Sequence, residues 1–241
     1  MEDAVATQPR TLAIDIGGTG LKVIVLDSQG KPLSERSRTP TPRPATPAAV
    51  TGALRGLLAS QPGFDRISVG FPGVVHQNVA RTAPNLHRDW VGFDLGDALQ
   101  RMTGKPVRVC NDADVQGFGD IQGKGVEMVL TLGTGLGSAI FVDGALVPNL
   151  ELAHHVFAGR RTYEDFVGRP ALEKVGKKHW RKRVLKMISR IEPIWNYDLL
   201  YLGGGNAKHL DADELPKNVR ICSNEAGLIG GIALWRQPSA R

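Results

Sequence analysis

Cysteine is scarce: of 241 residues only Cys110 and Cys222 are cysteines. Two are too few for a disulfide framework, and neither belongs to a Cys-x-x-Cys pair of the zinc or redox kind. Aromatic residues make up 6% of the chain, which argues against a base-stacking platform for single-stranded nucleic acid. No apolar run is long enough to span a bilayer, and the polar opening from Met1 to Arg10 lacks the pattern of a secretory signal. No helix-turn-helix extension precedes the first strand, and zinc-finger spacing and an aromatic RNA-binding signature are also missing. These absences predict a cytoplasmic protein with neither a membrane nor a nucleic-acid partner, and a loose tail over residues 1–10.

What is present is an ordinary globular composition, 41% hydrophobic and 22% charged, long enough for a large core in one or two domains. The formal net charge is +6 and the pI about 9.5, which suits an anionic partner such as a phosphorylated small molecule or a polyanion. Glycine is plentiful and clustered. Asp15-Ile-Gly-Gly-Thr-Gly-Leu-Lys22 has an echo at Thr131-Leu-Gly-Thr-Gly-Leu-Gly-Ser138. Each lies between two apolar runs, which reads as strand, glycine turn, strand. Without Cβ atoms, such turns let successive backbone amides approach an anion. A dinucleotide-binding turn would lead into a helix instead. Plain hairpin turns are the alternative for either segment alone. Paired half a chain apart, with an acid in one and hydroxyls in both, they predict a doubled architecture that holds a phosphate chain.

Further along, a third strand is expected around Leu33 to Ser37, with regular structure broken from Thr39-Pro40 onward. Thr46-Pro47 starts a helix that runs to about Ala59. Ile67 to Phe71 and Val107 to Cys110 read as strands, and Leu95 to Met102 as a helix. Val126 to Val147 restarts the pattern, while Glu151 to Lys177 yields no clear assignment. From Lys178 to Ile194, Trp180, Val184, Met187, Ile188 and Ile191 recur at helical spacing. The opposite side carries Lys178, Lys182, Lys186 and Arg190 at i, i+4, with Lys177, Arg181 and Arg183 beside them. That row is either a solvated face or a track for an extended polyanion. Asp198 to Leu202 is a strand followed by Gly203-Gly-Gly205, and Asn224 to Trp235 a last helix.

Phosphoryl transfer to a hydroxyl needs a donor cradle, a Mg²⁺ site and a carboxylate to receive the proton. Asn111-Asp112-Ala-Asp114 follows a strand end and leads into a helix, so Asp112 is a candidate base, with an N-cap as its bland alternative. Pro84-Asn85-Leu86 offers an amide, with Trp90 close behind as an apolar wall for a pocket. Glu151-Leu-Ala-His154 offers a carboxylate and an imidazole. His154 and His155 do not by themselves make a zinc site.

Taken in order, Asp15-Ile-Gly-Gly-Thr, Gly70-Phe-Pro-Gly73, Pro84-Asn85-Leu86, Asn111-Asp112-Ala113, Gly133-Thr-Gly-Leu-Gly137, Glu151-x-x-His154 and Gly203-Gly-Gly205 resemble the ROK sugar kinases. Thr39-Pro through Ala45-Thr46-Pro47, and Gly133 through Asp143-Gly144 and Pro148-Asn149 to Glu151, look most like the polyphosphate glucokinase branch. The resemblance spans about Leu12 to Trp235. It implies an α/β, actin-like/Hsp70-like ATPase fold with two lobes around a central cleft, an N-terminal lobe over 11–111 and a C-terminal lobe over 112–241. In that scheme the last helix, 225–236, has the option of packing back on the N-terminal lobe.

The resemblance also implies a glucose kinase that uses polyphosphate, ATP or both with Mg²⁺. Asp112 matches the base for the sugar 6-hydroxyl, and Asn85, Asn111, Glu151 and His154 match residues that hold the sugar. Asp15 matches the acid near the metal-phosphate, directly or indirectly. Gly17, Gly18, Thr19 and Lys22 match the first phosphate loop; Gly133, Thr134 and Gly135 match the second. Gly203, Gly204 and Gly205 match the nucleotide segment. A sugar-binding regulator with little catalysis, or a kinase for another hexose or amino sugar, is the alternative. The oligomeric state stays open, a homodimer included. Three departures stand out. The family's cysteine-rich zinc motif is missing, as in the polyphosphate branch. Ala153 replaces a glycine, and His155 follows where an apolar residue is usual. A later sugar-contacting glutamate has three candidates here, Glu164, Asp165 and Glu173.

Overall fold

The computed structural model describes residues 8–222 and 226–236. They fall into two compact units: Met1–Val115 with Leu228–Arg241, and Gln116–Gly227. Residues 1–7 of the expected tail and Asn224 and Glu225 of the expected last helix lie outside the described residues.

In the first unit, β1 (Thr11–Ile16) and β2 (Gly20–Leu26) are apolar and rich in β-branched residues, as strands buried on both faces require. They pair antiparallel around the Gly17–Thr19 turn, with Asp15 opposite Lys22. β3 (Ser37–Pro40) adds antiparallel to β2. After helix α1 (Pro47–Ala59) come β4 (Arg66–Phe71), a small hairpin of β5 (Val75–His76) and β6 (Val79–Ala80), helix α2 (Leu95–Thr103) and β7 (Val107–Asn111). The sheet order is β3-β2-β1-β4-β7, with β4 and β7 parallel to β1.

The third strand therefore sits later than the expected Leu33 to Ser37, and Thr39-Pro40 belongs to it. On a sheet edge a residue without an N–H can face away from the ladder, so Pro40 ends the strand without excluding it. The helix starts follow their capping residues. Thr46 accepts from Ala49 N–H at 3.3 Å ahead of Pro47, and Asp94 accepts from Asp97 N–H at 2.8 Å.

Alternation along β1 sorts the two faces of the sheet. Leu12, Ile14 and Ile16 pack with Val50 and Leu54 of α1 and Leu95 and Leu99 of α2. Ala13 points the other way, where Ile24, Leu26 and Ile232 of α6 (Ala226–Ala233) cover it. The last helix is pinned there by Ser68, whose hydroxyl donates to Gly231 O at 2.5 Å and accepts from Trp235 Nε1 at 2.9 Å. Arg66 and Arg108 lie over the Trp235 ring.

Helix α3 (Asp112–Asp120) leads into the second unit. There β8 (Val126–Leu132), β9 (Leu136–Val142) and β10 (Ala145–Val147) form the antiparallel part of a sheet that β13 (Leu199–Gly203) and β14 (Val219–Ile221) extend in parallel. Its order, β10-β9-β8-β13-β14, repeats that of the first sheet strand for strand and direction for direction. Met128, Leu130 and Leu132 face one core, while Val129 faces Phe141, Tyr201 and Phe118 of α3 on the other side.

The segment from Glu151 to Lys177, unassigned from sequence, holds β11 (Val156–Ala158), β12 (Arg161–Thr162), α4 (Tyr163–Val167) and the start of α5 (Arg169–Trp195). Thr162 and Asp165 start α4 with a reciprocal capping box. Gly176, at φ 72° and ψ 161°, breaks α5, so the predicted Lys178–Ile194 helix is its second piece. Trp180, Val184, Met187, Ile188 and Ile191 are all buried on its inner side.

Trp180 is fully buried, and its Nε1 donates to Val167 O at 2.7 Å. Trp180→Ala is expected to lower stability in urea denaturation by about 3–5 kcal/mol. Trp180→Phe, which mainly strands the Val167 carbonyl, should cost about 1–3 kcal/mol.

Candidate active site

Three neighbouring strand ends of the first unit gather several of the singled-out residues. In register, Asp15 of β1 lies beside Gly70 of β4, and Phe71 lies beside Asn111 of β7. All three strands run parallel, so these are carboxyl ends, where α/β sheets place their ligands. Asp15 Oδ2 accepts from Lys22 Nζ at 2.7 Å across the first hairpin. The turn itself is held from outside: Thr41 Oγ1 donates to Gly17 O at 2.5 Å, and Arg43 Nη2 to Gly18 O at 3.3 Å. Thr41 and Arg43 entered the sequence reading only within the Thr39 to Pro47 run, because nothing in a proline-rich loop distinguishes a residue that braces a distant turn. Asn85 is exposed beside the same turn; a Cβ placed on Gly18 would lie 3.3 Å from Asn85 Cβ.

Asn111 is buried and organises the start of α3. Its Oδ1 accepts from Ala113 N–H at 2.8 Å and Asp114 N–H at 3.3 Å, and its Nδ2 donates to Gly73 O at 3.1 Å. Asp112 is exposed, with Oδ1 accepting from Ala113 N–H at 2.8 Å. A Cβ on Gly70 would stand 3.4 Å from Asp112 Cα. Capping is thus shared between Asn111 and Asp112.

Trp90 is not an apolar pocket wall. It is fully buried in the core, packed against Phe71 and Phe93, and its Nε1 donates to Ala45 O at 2.8 Å. An indole with a core carbonyl for its N–H gains more from full burial than from a pocket surface.

The second unit gathers the rest. The second glycine turn closes with Gly133 N–H on Gly135 O at 3.0 Å; the first, one residue longer, closes with Gly17 N–H on Gly20 O at 3.0 Å. Asn206, after Gly203–Gly205, donates from Nδ2 to Gly133 O at 2.8 Å and from its backbone to Leu132 O at 2.9 Å. The third glycine segment is therefore tied to the second turn. Beside Gly203, burial pushes the Asp120 carboxyl up to about 6, with Cys222 and Gln116 partly offsetting it.

Glu151 and His154 meet across a 3-10 turn, Leu152–His154, with Oε2 and Nε2 3.3 Å apart. Ser138 of β9 ties this segment to the second hairpin, donating to Leu150 O at 2.5 Å and accepting from Leu152 N–H at 3.2 Å. Ala153 is buried in the core and His155 is exposed.

Of the three acids considered for a later site residue, Asp165 serves the α4 cap and Glu173 is exposed. Glu164 reaches the second turn: its Oε2 accepts from Leu136 N–H at 3.1 Å, and a Cβ on Gly135 would overlap it. Burial first, and then the charge of Glu164, raise the Glu151 carboxyl above its ordinary value, while His154 acts in the opposite direction. Among the described residues no group of three His, Cys, Asp or Glu is placed to hold a metal ion, and no helix is long and apolar enough to cross a membrane.

Residues 11–150 match the ROK family. The chain belongs to that family. This ROK protein is 32% identical to a polyphosphate glucokinase of Mycobacterium tuberculosis (strain ATCC 25177 / H37Ra), over 93% of its own length and 90% of the relative's. It is similar to the inorganic polyphosphate/ATP-glucomannokinase of Arthrobacter sp. strain KM, with a TM-score of 0.84 and 34% identity across 94% of this chain and 99% of that one. A ROK family glucokinase from Streptomyces griseus, in complex with glucose and AMPPNP, shares the fold at a TM-score of 0.78 and 20% identity, covering 95% and 100% of the two chains. The fold is the actin-like ATPase fold.

Replacing Glu164 with Gln removes one of the two influences that raise the Glu151 carboxyl. The Glu151 titration midpoint, followed by carbon NMR of the full chain, is expected to move down in Glu164→Gln. Because burial is the larger cause, the midpoint should stay above that of an exposed glutamate.

Proposed function

We propose that this ROK protein phosphorylates glucose at its 6-hydroxyl, drawing the phosphoryl group from polyphosphate, ATP or both, with Asp112 as general base. The protein is a kinase, a phosphotransferase acting on a sugar. The observation that carries the finer reading is the position of Asp112, an exposed residue at a strand end, next to Asn111, which accepts from two of the first α3 amides. A base must reach the proton it removes, and Asp112 is exposed, with Oδ1 accepting from Ala113 N–H.

Asn85, Glu151 and His154 hold the sugar hydroxyls in this scheme. The Glu151–His154 pair can both accept and donate, which suits a polyol. Asn111 acts by positioning Asp112, since its side chain is engaged with backbone groups on both sides. The two glycine turns, closed by the Gly17 and Gly133 N–H groups, present the amides of Gly18, Thr19, Thr134 and Gly135 to the donor phosphates, and Lys22 adds a positive charge. Gly203–Gly205 meet the nucleotide when ATP is the donor. Asp15 fits a Mg²⁺ role of the kind in which one carboxylate and the donor phosphates share the ion, with Lys22 as its partner otherwise. When bound, Mg²⁺ supplies charge neutralisation on the transferring phosphate.

Purified protein with glucose and Mg²⁺, given ATP or long-chain polyphosphate, is expected to form glucose 6-phosphate. Asp112→Asn should lower kcat by roughly 10²–10⁴ while leaving the glucose KM within a few-fold, as removal of a general base does. A variant that keeps more than a tenth of wild-type kcat would sink the assignment of Asp112.

A further inference from the structure

The basic character of this chain resides almost entirely in one stretch. Residues 174–190 carry eight of the 30 Lys and Arg residues and none of the 24 Asp and Glu residues, so the rest of the chain sums to −2. Like charges at i, i+4 repel and cost helix stability, and here the buried face of Trp180, Val184, Met187, Ile188 and Ile191 offsets that cost.

The cations divide by residue type. The arginines are used inward. Arg181 Nε donates to His209 O at 2.5 Å and its guanidinium stands 3.8 Å from Asp211. Arg183 lies over Phe166 and donates to its carbonyl, and Arg190 does the same with Phe157. The lysines at 174, 177, 178, 182 and 186 are all exposed. Lys178, Lys182 and Lys186 follow one another at about 6 Å along the helix axis. Exposed ammonium groups on flexible stems suit a chain of phosphates that can shift along them, whereas arginine forks would fix one geometry.

The start of α5 and the turn beside Arg181 both lead from the N-terminal end of this face back to the second glycine turn, while its far end rests on Phe157 through Arg190. Arg169, the first residue of α5, donates its N–H to Gly133 O and Thr134 O, each at 3.2 Å. Asn206 holds Gly133 O, and Lys208 follows two residues later, exposed, in the 3-10 turn that Arg181 grips. Burial first, and then the charges of Lys177, Lys208 and Arg181, hold the His209 imidazole below its ordinary value, which marks these groups as neighbours.

From this arrangement we infer that Lys177, Lys178, Lys182, Lys186 and Lys208 form a surface for the distal phosphates of a long linear polyphosphate whose reacting end occupies the second glycine turn. The inference rests on the reading of that turn as a donor-phosphate site. It adds where the remainder of a long donor lies, and why such a donor would be held more tightly than a short one.

The test uses the full chain and the triple variant Lys178→Glu/Lys182→Glu/Lys186→Glu, with thermal unfolding to confirm that both fold. Kinetics compare long-chain polyphosphate with tripolyphosphate. Binding of long-chain polyphosphate is measured in the Asp112→Asn background, with and without the triple change, against salt. The ratio of long-chain to tripolyphosphate KM is expected to rise at least about tenfold in the triple variant, and the slope of log K against log salt to shrink by about 2. An unchanged ratio and slope would overturn the inference. So would duplex DNA of equal charge competing as well as polyphosphate, which would make the face a general polyanion surface. The binding arm separates this inference from the kinase reading: a chain that turns over no donor yet loses polyphosphate affinity with the three lysines supports the surface and contradicts the kinase. A triple variant that does not fold is replaced by Lys178→Gln/Lys182→Gln, to which the same expectations apply at a smaller ratio.

Discussion

Where β7 ends, the Asn111 side chain accepts from the first amides of α3 and donates to the Gly73 carbonyl beyond β4. One buried amide thus joins a strand end, a helix start and the loop of the neighbouring strand. The position of Asp112 follows from it. If Asp112 had to satisfy the orphan N–H groups of α3 alone, its carboxylate would be turned wholly to the backbone. Instead the Ala113 N–H is shared between Asn111 and Asp112, and Asp112 remains exposed. Asp15, on the strand next to β4, is brought to the same end of the sheet by register alone.

The same economy appears at larger scale. Two sheets with one strand order are each opened by a hairpin whose glycine turn closes with a backbone bond of its own. In each sheet, helices cover the two faces according to the alternation along the first strand. Each turn is then held by residues far away in sequence: Thr41 and Arg43 for the first, Glu164 and Asn206 for the second. A preorganised amide cradle needs such bracing, because a loose glycine turn would lose entropy each time it met a phosphate.

Most of the framework was legible because its signals are local. Paired apolar runs around Gly17–Thr19 and Gly133–Gly135, the Thr46-Pro47 start, and the 3.6-residue spacing from Trp180 to Ile191 all rest on neighbours in the chain. The misjudged places depend on context. Pro40 reads as a strand breaker until its strand is known to be an edge, and Trp90 as a pocket wall until its indole N–H is known to find Ala45 O. Glu127 sits in an apolar strand without any warning in the sequence. It is fully buried, and its carboxylate accepts from three backbone amides and the Tyr201 hydroxyl. The candidate site was legible as a set of residue types. That Glu164 reaches the second turn while Asp165 serves a helix cap, and that Asn111 joins the α3 amides to Gly73 O, needed three-dimensional partners.

The central claim is that Asp112 faces the hydroxyl that is phosphorylated, and a crystal structure of the protein with glucose tests it most directly. The account predicts an Asp112 carboxylate oxygen within about 2.6–3.2 Å of the sugar O6, with Asn111 still bonded to Gly73 O. Glucose bound with its O6 away from Asp112, or an Asp112 carboxylate turned fully into the α3 amides, would contradict it.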